Sequence, residues 1–367
     1  MKSLIRAKAA ELGFSACGFT HCADLGEEQA HYEAWLAAGK QAEMGYLERY
    51  PEVRFHPSRL AEGCENVVVL LLNYHRTDYA LHKAADYRVA EYALGRDYHE
   101  VMREKLHALA AFMQTLGKDV RTRCCVDTAP VLEKALAVRA GLGWRGKNSL
   151  LVTPHGSKFF IGEIFTSLPL QEDGADVPDG HIVLDGQVVQ DDGRADRQEV
   201  HYEAVGALAE CTAVDGEMAM ADGLVDGVMA DGCGSCNRCV EACPAHALDG
   251  SRGVDARRCL SCQTIERHET TLTDAAADCM GNRIYGCDVC QDVCPYNRQA
   301  PETTVADFLR VPDWFSWSNA QWEAMDADTF RKHFNDSAMR RAGYEKLHEN
   351  ILRAGKEGKA EEEEGEG

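Results

Sequence analysis

No apolar run in this sequence approaches the roughly 20 residues that a membrane-spanning helix needs. The opening Met1-Lys2-Ser3-Leu4-Ile5-Arg6 runs on to Lys8 and Glu11 rather than into an unbroken apolar stretch, and no twin arginine is present. Nothing therefore reads as an export signal, and a cytoplasmic location with no membrane partner is expected. That location excludes disulfides as the use of 16 cysteines, because the cytoplasm keeps thiols reduced. Basic residues are also short, with 39 Lys+Arg against 60 Asp+Glu and a net charge of −21. Such a balance ordinarily counts against nucleic-acid binding. The deficit is local, however. Residues 171–232 hold 16 Asp+Glu against 2 Arg, and residues 356–367 hold 6 Glu against 2 Lys. The remainder is near balance, so the argument reaches only those two segments.

What is present is enough for more than one packed unit: 367 residues, 45% of them hydrophobic. Leu4, Ile5, Ala9 and Leu12 recur at helical spacing, and Gly13 breaks the helix before an extended Phe14–Phe19. Asn66–Tyr74 is a continuous apolar run of strand length, suited to a buried sheet position. The pattern then predicts an amphipathic helix from Asp97 to Leu116, a strand over Asp119–Val126 and a helix over Pro130–Ala140 with proline at its first position. Further strands are expected at Leu150–Thr153 and Phe159–Thr166. Residues 1–170 thus read as an α/β catalytic domain. Residues 171–232 read as an acidic, partly flexible insertion with a hairpin turning on Asp185-Gly186. A module over 233–300 follows, then a helical segment over 301–355 whose Trp314, Trp317, Trp322 and Phe330 wrap the other domains, and a disordered acidic tail over 356–367.

Ten of the 16 cysteines fall between Cys233 and Cys294. Cys233-x2-Cys236-x2-Cys239-x3-Cys243-Pro244 is the bacterial ferredoxin run, in which the fourth cysteine serves the other cluster. Cys287-x2-Cys290-x3-Cys294-Pro295 is a second run, with Cys259 upstream. The short spacings let one tight loop put thiolates on adjacent iron corners. On this rule one 4Fe–4S cluster takes Cys233, Cys236, Cys239 and Cys294, and the other takes Cys243, Cys259, Cys287 and Cys290, in an α+β ferredoxin-like domain. Two tetrahedral zinc sites are the alternative, but they seldom carry this run. Cys262 competes with Cys259 for one ligand position. Two clusters make an electron wire and leave the chemistry at its end unnamed.

Gly141-x-Gly143-x-x-Gly146 matches a dinucleotide fingerprint, but it follows a predicted helix rather than a strand. Gly141-x4-Gly146-Lys147 approaches a phosphate loop and then has Asn148 where Ser or Thr is needed. What remains is a glycine-rich loop whose Arg145 and Lys147 suit an anion or cofactor contact. Asp127 follows a predicted strand. Its local reading is a helix cap, by Asp127 or Thr128 with Glu133 in the first turn. Its chemical reading is a proton donor at a strand's carboxyl end.

Taken together, Gly95-Arg-Asp-Tyr-His99, Val126-Asp-Thr-Ala-Pro-Val-Leu-Glu133, Ala140-Gly-Leu-Gly-Trp-Arg-Gly-Lys-Asn148, Gly156-Ser-Lys-Phe-Phe-Ile-Gly-Glu-Ile164 and the cysteine runs resemble the epoxyqueuosine reductase family. The resemblance covers most of 1–170 and 233–350. It implies reduction of epoxyqueuosine to queuosine at the tRNA wobble position, with cobalamin between the α/β and cluster domains. By the same resemblance the clusters pass electrons to cobalt from an unidentified donor, Asp127 is the general acid, and a corrin-shielded carboxyl has a raised pKa. Cobalamin contacts carried over are Arg54, Asp127, Leu151 and Ile161. Corrinoid dehalogenases resemble the chain in cofactors, but they typically carry the twin-arginine signal missing here. The sequence departs from the family in the length of 171–232, in His348-Glu349-Asn350 where an Arg-Asn pair is expected, and in the lack of helical repeats that grip tRNA in longer members.

Overall fold

The structure is a computed structural model, and it describes residues 1–79, 84–170, 183–184, 187–188, 224–225 and 228–365. Its main sheet has four strands in the order Ala16–His21, Asn66–Asn73, Phe159–Thr166, Thr122–Cys125. Every neighbouring pair is antiparallel. The alternation of helix and strand holds along the chain, but the sheet is not the parallel one that an α/β pattern suggests. Direction is set by how each crossover returns, and a local apolar run carries no record of that.

The Asn66–Asn73 strand is buried along its whole length, and its alternating side chains fill two cores. Val68, Leu70 and Leu72 pack with Ile5 and Ala9 of the Lys2–Glu11 helix and with Val101, Leu106 and Leu109 of the Tyr98–Gln114 helix. Val67, Val69 and Leu71 pack instead with Leu136 and Ala137 of the Glu133–Arg139 helix. This is the period-two alternation of a strand with helices on both faces. Gly13 adopts a φ of +85°, the left-handed turn that ends the first helix. The Tyr98–Gln114 helix begins on Asp97, whose side chain accepts the His99 backbone N–H at 3.0 Å.

A third core joins the cysteine module to the C-terminal segment. Leu260, Met280 and Tyr285 are buried there with Trp314, Trp317, Trp322, Phe330 and Phe334, so the expected aromatic wrapping is present. A short parallel pairing of Arg88–Val89 with Arg283–Tyr285 ties this unit to the first. Asn350 bridges it from inside, donating to the Thr264 and Ile284 carbonyls at 3.0 and 2.9 Å.

Of the expected insertion, the paired strands Val183–Leu184 and Gln187–Val188 match the predicted hairpin, and Leu224–Val225 pairs with Val228–Met229. Its expected flexibility lies outside the described residues. The backbone of 356–365, expected as a disordered tail, continues the Gly343–Gly365 helix. Its Ala, Glu and Lys are strong helix formers.

Candidate functional site

The helix expected from Pro130 begins instead at Glu133, with Leu132 at its cap and no side-chain cap bond. The capping reading of Asp127 therefore fails. Asp127 sits in a tight turn with φ of +49°, a left-handed conformation unusual outside glycine. The Thr128 N–H closes that turn onto the Val126 carbonyl at 2.5 Å. Two side chains hold the exposed carboxylate: Tyr98 Oη donates to Asp127 Oδ2 at 3.0 Å, and His99 Nε2 lies 3.0 Å from the same oxygen. Behind His99, its Nδ1 meets buried Asp97 at 2.8 Å, and Arg340 pairs with the other Asp97 oxygen at 3.0 Å. Tyr98 is fixed by stacking on Phe160, with ring centroids 4.1 Å apart and planes within 2°.

These contacts set the protonation pattern. The His99 hydrogen bond holds the Asp127 carboxyl below its ordinary range against the opposing effect of desolvation. The protein's own groups thus act in the opposite direction to the corrin shielding expected to raise this carboxyl, and the cause is the histidine, for which local sequence spacing gave no signal. Desolvation pulls His99 down, but the bonds to Asp127 and Asp97 outweigh it and raise His99 to about 9. At neutral pH the site holds a carboxylate and an imidazolium that share a proton.

A second layer lies behind the turn. The Asp127 backbone N–H donates to Glu133 Oε1 at 2.6 Å. Glu163, on the Phe159–Thr166 strand, is fully buried, and neither of its carboxyl oxygens has a hydrogen-bond partner. The only carboxyl in the run Phe-Phe-Ile-Gly-Glu-Ile-Phe-Thr was the sequence signal for it. Lys134 Nζ donates to the Ser149 carbonyl at 2.7 Å. Desolvation, then the nearby Arg145, lowers Lys134 to about 8, while Asp127 and Cys290 both act on it in the opposite sense.

Four of the eight candidate ligand cysteines meet at one place. Cys233, Cys236, Cys239 and Cys294 line one cavity. Burial raises the Cys239 thiol to about 11, and its next causes are Cys233, Cys294 and Cys236. Burial is again the main cause for Cys259, Cys287 and Cys290, with Cys243 acting on Cys259, Cys259 acting on both Cys287 and Cys290, and Cys239 acting on Cys290 as well. Cys262 is buried beside Glu266, Glu43 and Lys346, and Cys259 is the one cysteine that acts on it. One shared cavity thus brings Cys233, Cys236, Cys239 and Cys294 together.

The glycine-rich loop has a structural use. Lys147 Nζ donates to the Gly234 carbonyl and to Asn237 Oδ1, both at 2.9 Å, which pins the first cysteine loop. Asn148 Nδ2 reaches the Cys290 carbonyl at 3.5 Å. At Gly143 an added Cβ would stand 2.2 Å from the Val152 carbonyl oxygen, so the glycine is required by close packing. These contacts account for the loop without a nucleotide.

Comparison with known proteins settles the family. A family model described as epoxyqueuosine reductase QueG, DUF1730, matches residues 54–128, and one described as a 4Fe-4S double cluster binding domain matches residues 232–297. An epoxyqueuosine reductase of Xanthomonas campestris pv. campestris is 34% identical over 361 residues, covering 95% of this chain and 84% of the relative. The chain belongs to the epoxyqueuosine reductase family. The Cyclobacterium marinum member is 32% identical, with 95% of this chain and 94% of the relative covered. The solved epoxyqueuosine reductase of Streptococcus thermophilus superposes with a TM-score of 0.72 at 25% identity, over 96% of this chain and 80% of that one. An epoxyqueuosine reductase solved with an epoxyqueuosine-modified tRNA-Tyr stem loop gives the same TM-score, identity and coverage. The chain is therefore an oxidoreductase of this family and carries a double 4Fe–4S cluster binding domain. Among the described residues, no helix is long and apolar enough to cross a membrane.

Proposed function

We propose that this protein reduces epoxyqueuosine to queuosine in the anticodon of tRNA, drawing electrons through two 4Fe–4S clusters to a cobalamin. The observation that carries the reading is a run of contacts from the Asp127 turn to the cysteine module: Glu133 takes the Asp127 N–H, its neighbour Lys134 donates to the Ser149 carbonyl, and the adjacent Asn148 reaches the Cys290 carbonyl. Proton-bearing site and cysteine module therefore face one region.

The donor sets fit the clusters. Cys233, Cys236, Cys239 and Cys294 would hold one, and Cys243, Cys259, Cys287 and Cys290 the other, four thiolates being the ligand set of a 4Fe–4S cluster. A corrinoid also fits the residues around Asp127. Val131, Leu132, Phe159 and Ile161 are half-buried apolar side chains on that face. The Thr122–Cys125 strand ends opposite Glu163, so Phe159–Gly162 has a strand partner on one side only. That leaves backbone near Ile161 for a ligand. Buried Nε atoms of Arg54 and Arg145 and the Trp144 indole N–H have no partner and suit the carbonyl oxygens of corrin amides. Arg54 and Arg145 approach one helix, Gly26–Ala37, through Tyr32 and Glu28 respectively, one turn apart. Leu151 pairs with Arg145 in a two-residue ladder and so sits beside the same donor. A bound cobalamin would supply a reducible cobalt able to deliver electrons to the epoxide.

The chain's own residues would supply the rest. Removing the epoxide oxygen as water consumes two electrons and two protons. The proton held by the His99 imidazolium would pass through the Asp127 carboxylate to the departing oxygen, and the second proton would come from solvent as the pair recharges. Tyr98 orients the carboxylate. For the RNA, Arg103, His107 and Arg123 line a cavity with Thr128 and Pro130 of the Asp127 turn. His99, Arg103 and His107 recur every four residues on one helix face. A basic trough thus leads away from Asp127, suited to phosphates flanking the reacting nucleoside. The test is anaerobic incubation of holoprotein with reductant and epoxyqueuosine-containing tRNA, followed by nucleoside mass spectrometry. Queuosine should appear; its absence from protein fully loaded with clusters and cobalamin overturns the reading.

A further inference from the structure

Asp127 is exposed, left-handed and at the tip of a turn, three properties that favour mobility. Its side-chain bonds to Tyr98 and His99 are the ones a substrate must displace or share. Its backbone has a separate tether, the 2.6 Å bond from the Asp127 N–H to Glu133 Oε1. A bond from N–H to an ionised carboxylate is about twice as strong as one to a neutral acceptor. The strength of the tether therefore depends on the charge of Glu133.

The surroundings make that charge variable. From the Phe159–Thr166 strand, Glu163 faces Glu133 with no partner of its own. Asp127 and His99 face it from the turn and the Tyr98–Gln114 helix, Lys134 from its own helix, and Cys125 from the Thr122–Cys125 strand. Lys134 spends one of its hydrogen bonds on the Ser149 carbonyl, and among the described residues no cation pairs with either glutamate. Two carboxyls this close to a third cannot all ionise in a desolvated space. Glu163, deepest and unpartnered, keeps its proton; Glu133 is the one that changes.

We propose that Glu133 is the positioning residue for Asp127: its ionised carboxylate fixes the left-handed turn that aims the Asp127 side chain, and protonation of Glu133 lets the turn go. The direction of its titration agrees. Desolvation, then the Asp127 charge, raises Glu133 to about 7, against the opposing pull of the Asp127 N–H. Turnover should therefore fall as pH drops through about 7, because Asp127 loses its aim. A misplacement of about 1 Å costs about 100-fold in rate.

The inference rests on the proposed reduction of epoxyqueuosine for its kinetic arm only. On holoprotein, kcat is measured from pH 5.5 to 8.5 for the wild type, Glu133→Gln and Glu133→Ala. Amide hydrogen exchange of the peptide spanning 126–132 is followed over the same range, corrected for intrinsic exchange. The wild type should lose both rate and loop protection as pH falls through about 7. Glu133→Gln, whose neutral amide matches the protonated acid and cannot titrate, should show the low-pH rate and weak loop protection at every pH, with no acid limb in either measurement. Glu133→Ala should lose about 10- to 100-fold in kcat at every pH with KM little changed, and its loop should be unprotected throughout. An acid limb retained in Glu133→Gln, or wild-type loop protection independent of pH, overturns the proposal. Absence of any queuosine from the wild type would instead strike the proposed function, leaving the exchange arm to decide the role of Glu133.

Discussion

His99 Nε2 lies 3.0 Å from Asp127 Oδ2 while its Nδ1 lies 2.8 Å from Asp97, so one imidazole is held between two carboxylates. The proton it carries at neutral pH belongs to the pair. Asp127→Asn removes one of the two partners that raise His99 to about 9. In that variant the histidine should titrate lower, measurable by NMR without any cofactor. Its turnover should drop by about 100- to 10,000-fold, the usual contribution of a positioned acid or base, at unchanged iron and cobalamin content. Wild-type turnover in fully loaded Asp127→Asn would remove Asp127 from the chemistry.

The same pair predicts the alkaline limb. A folded-state value raised to about 9 means that the imidazolium persists through neutrality and is lost as pH rises through about 9. The rate of epoxide reduction should therefore fall above about 9. In Asp97→Asn, which removes the buried partner, that limb should move to lower pH. A limb that stays in place assigns it to some other group.

Much of this was legible in the sequence, and the failures have physical causes. The cysteine spacing picks out eight candidate thiols because ligand geometry demands short, regular intervals, and four of them, Cys233, Cys236, Cys239 and Cys294, line one cavity in the structure. Alternation in Asn66–Asn73 could be read, but strand direction could not, since it depends on where distant segments return. Pro130 looked like a helix start by local preference; the left-handed Asp127 and the Glu133 tether delay the helix to residue 133. His99 was visible inside the motif Gly95–His99, but its contact with Asp127 spans 28 residues and arises only from folding. Glu163 carried the plainest unheeded sign, a lone carboxyl in an otherwise apolar strand.

The ligand ambiguity becomes an iron count. Cys259 caps the Leu260–Ile265 helix and acts on Cys287 and Cys290, whereas Cys262 lies within that helix and is buried. Cys259→Ala should lose about half of the bound iron, because one of two 4Fe–4S clusters loses a ligand. Cys262→Ala should keep nearly all of it and change stability modestly through lost packing. The reverse pattern would exchange the two assignments.

The glycine-rich loop predicts a stability effect rather than a nucleotide effect. A Cβ on Gly143 would meet the Val152 carbonyl oxygen at 2.2 Å, a distance that forces the backbone apart. Gly143→Ala should destabilise by roughly 1–3 kcal/mol, the usual cost of overpacking, seen as a lower urea midpoint. Neither ATP nor NADH should bind detectably to the wild type in calorimetry; micromolar binding of either would restore the nucleotide reading.

The basic trough offers a way to separate RNA contact from chemistry. Arg103 and Arg123 are exposed and line one cavity beside the Asp127 turn, on a chain whose net charge is −21. A phosphate neutralised there releases condensed counterions, and each such contact adds about 0.7 to 0.9 to the slope of log affinity against log salt. Arg103→Glu with Arg123→Glu should flatten the slope for an anticodon stem loop by about 1 to 2. It should weaken binding most at low salt and leave iron content unchanged. The effect should be the same for epoxyqueuosine-containing and unmodified stem loops, because phosphate contacts carry no information about the base. A loss confined to the modified RNA would mean that these arginines read the nucleoside itself. An unchanged slope would place the RNA on a different face of the protein.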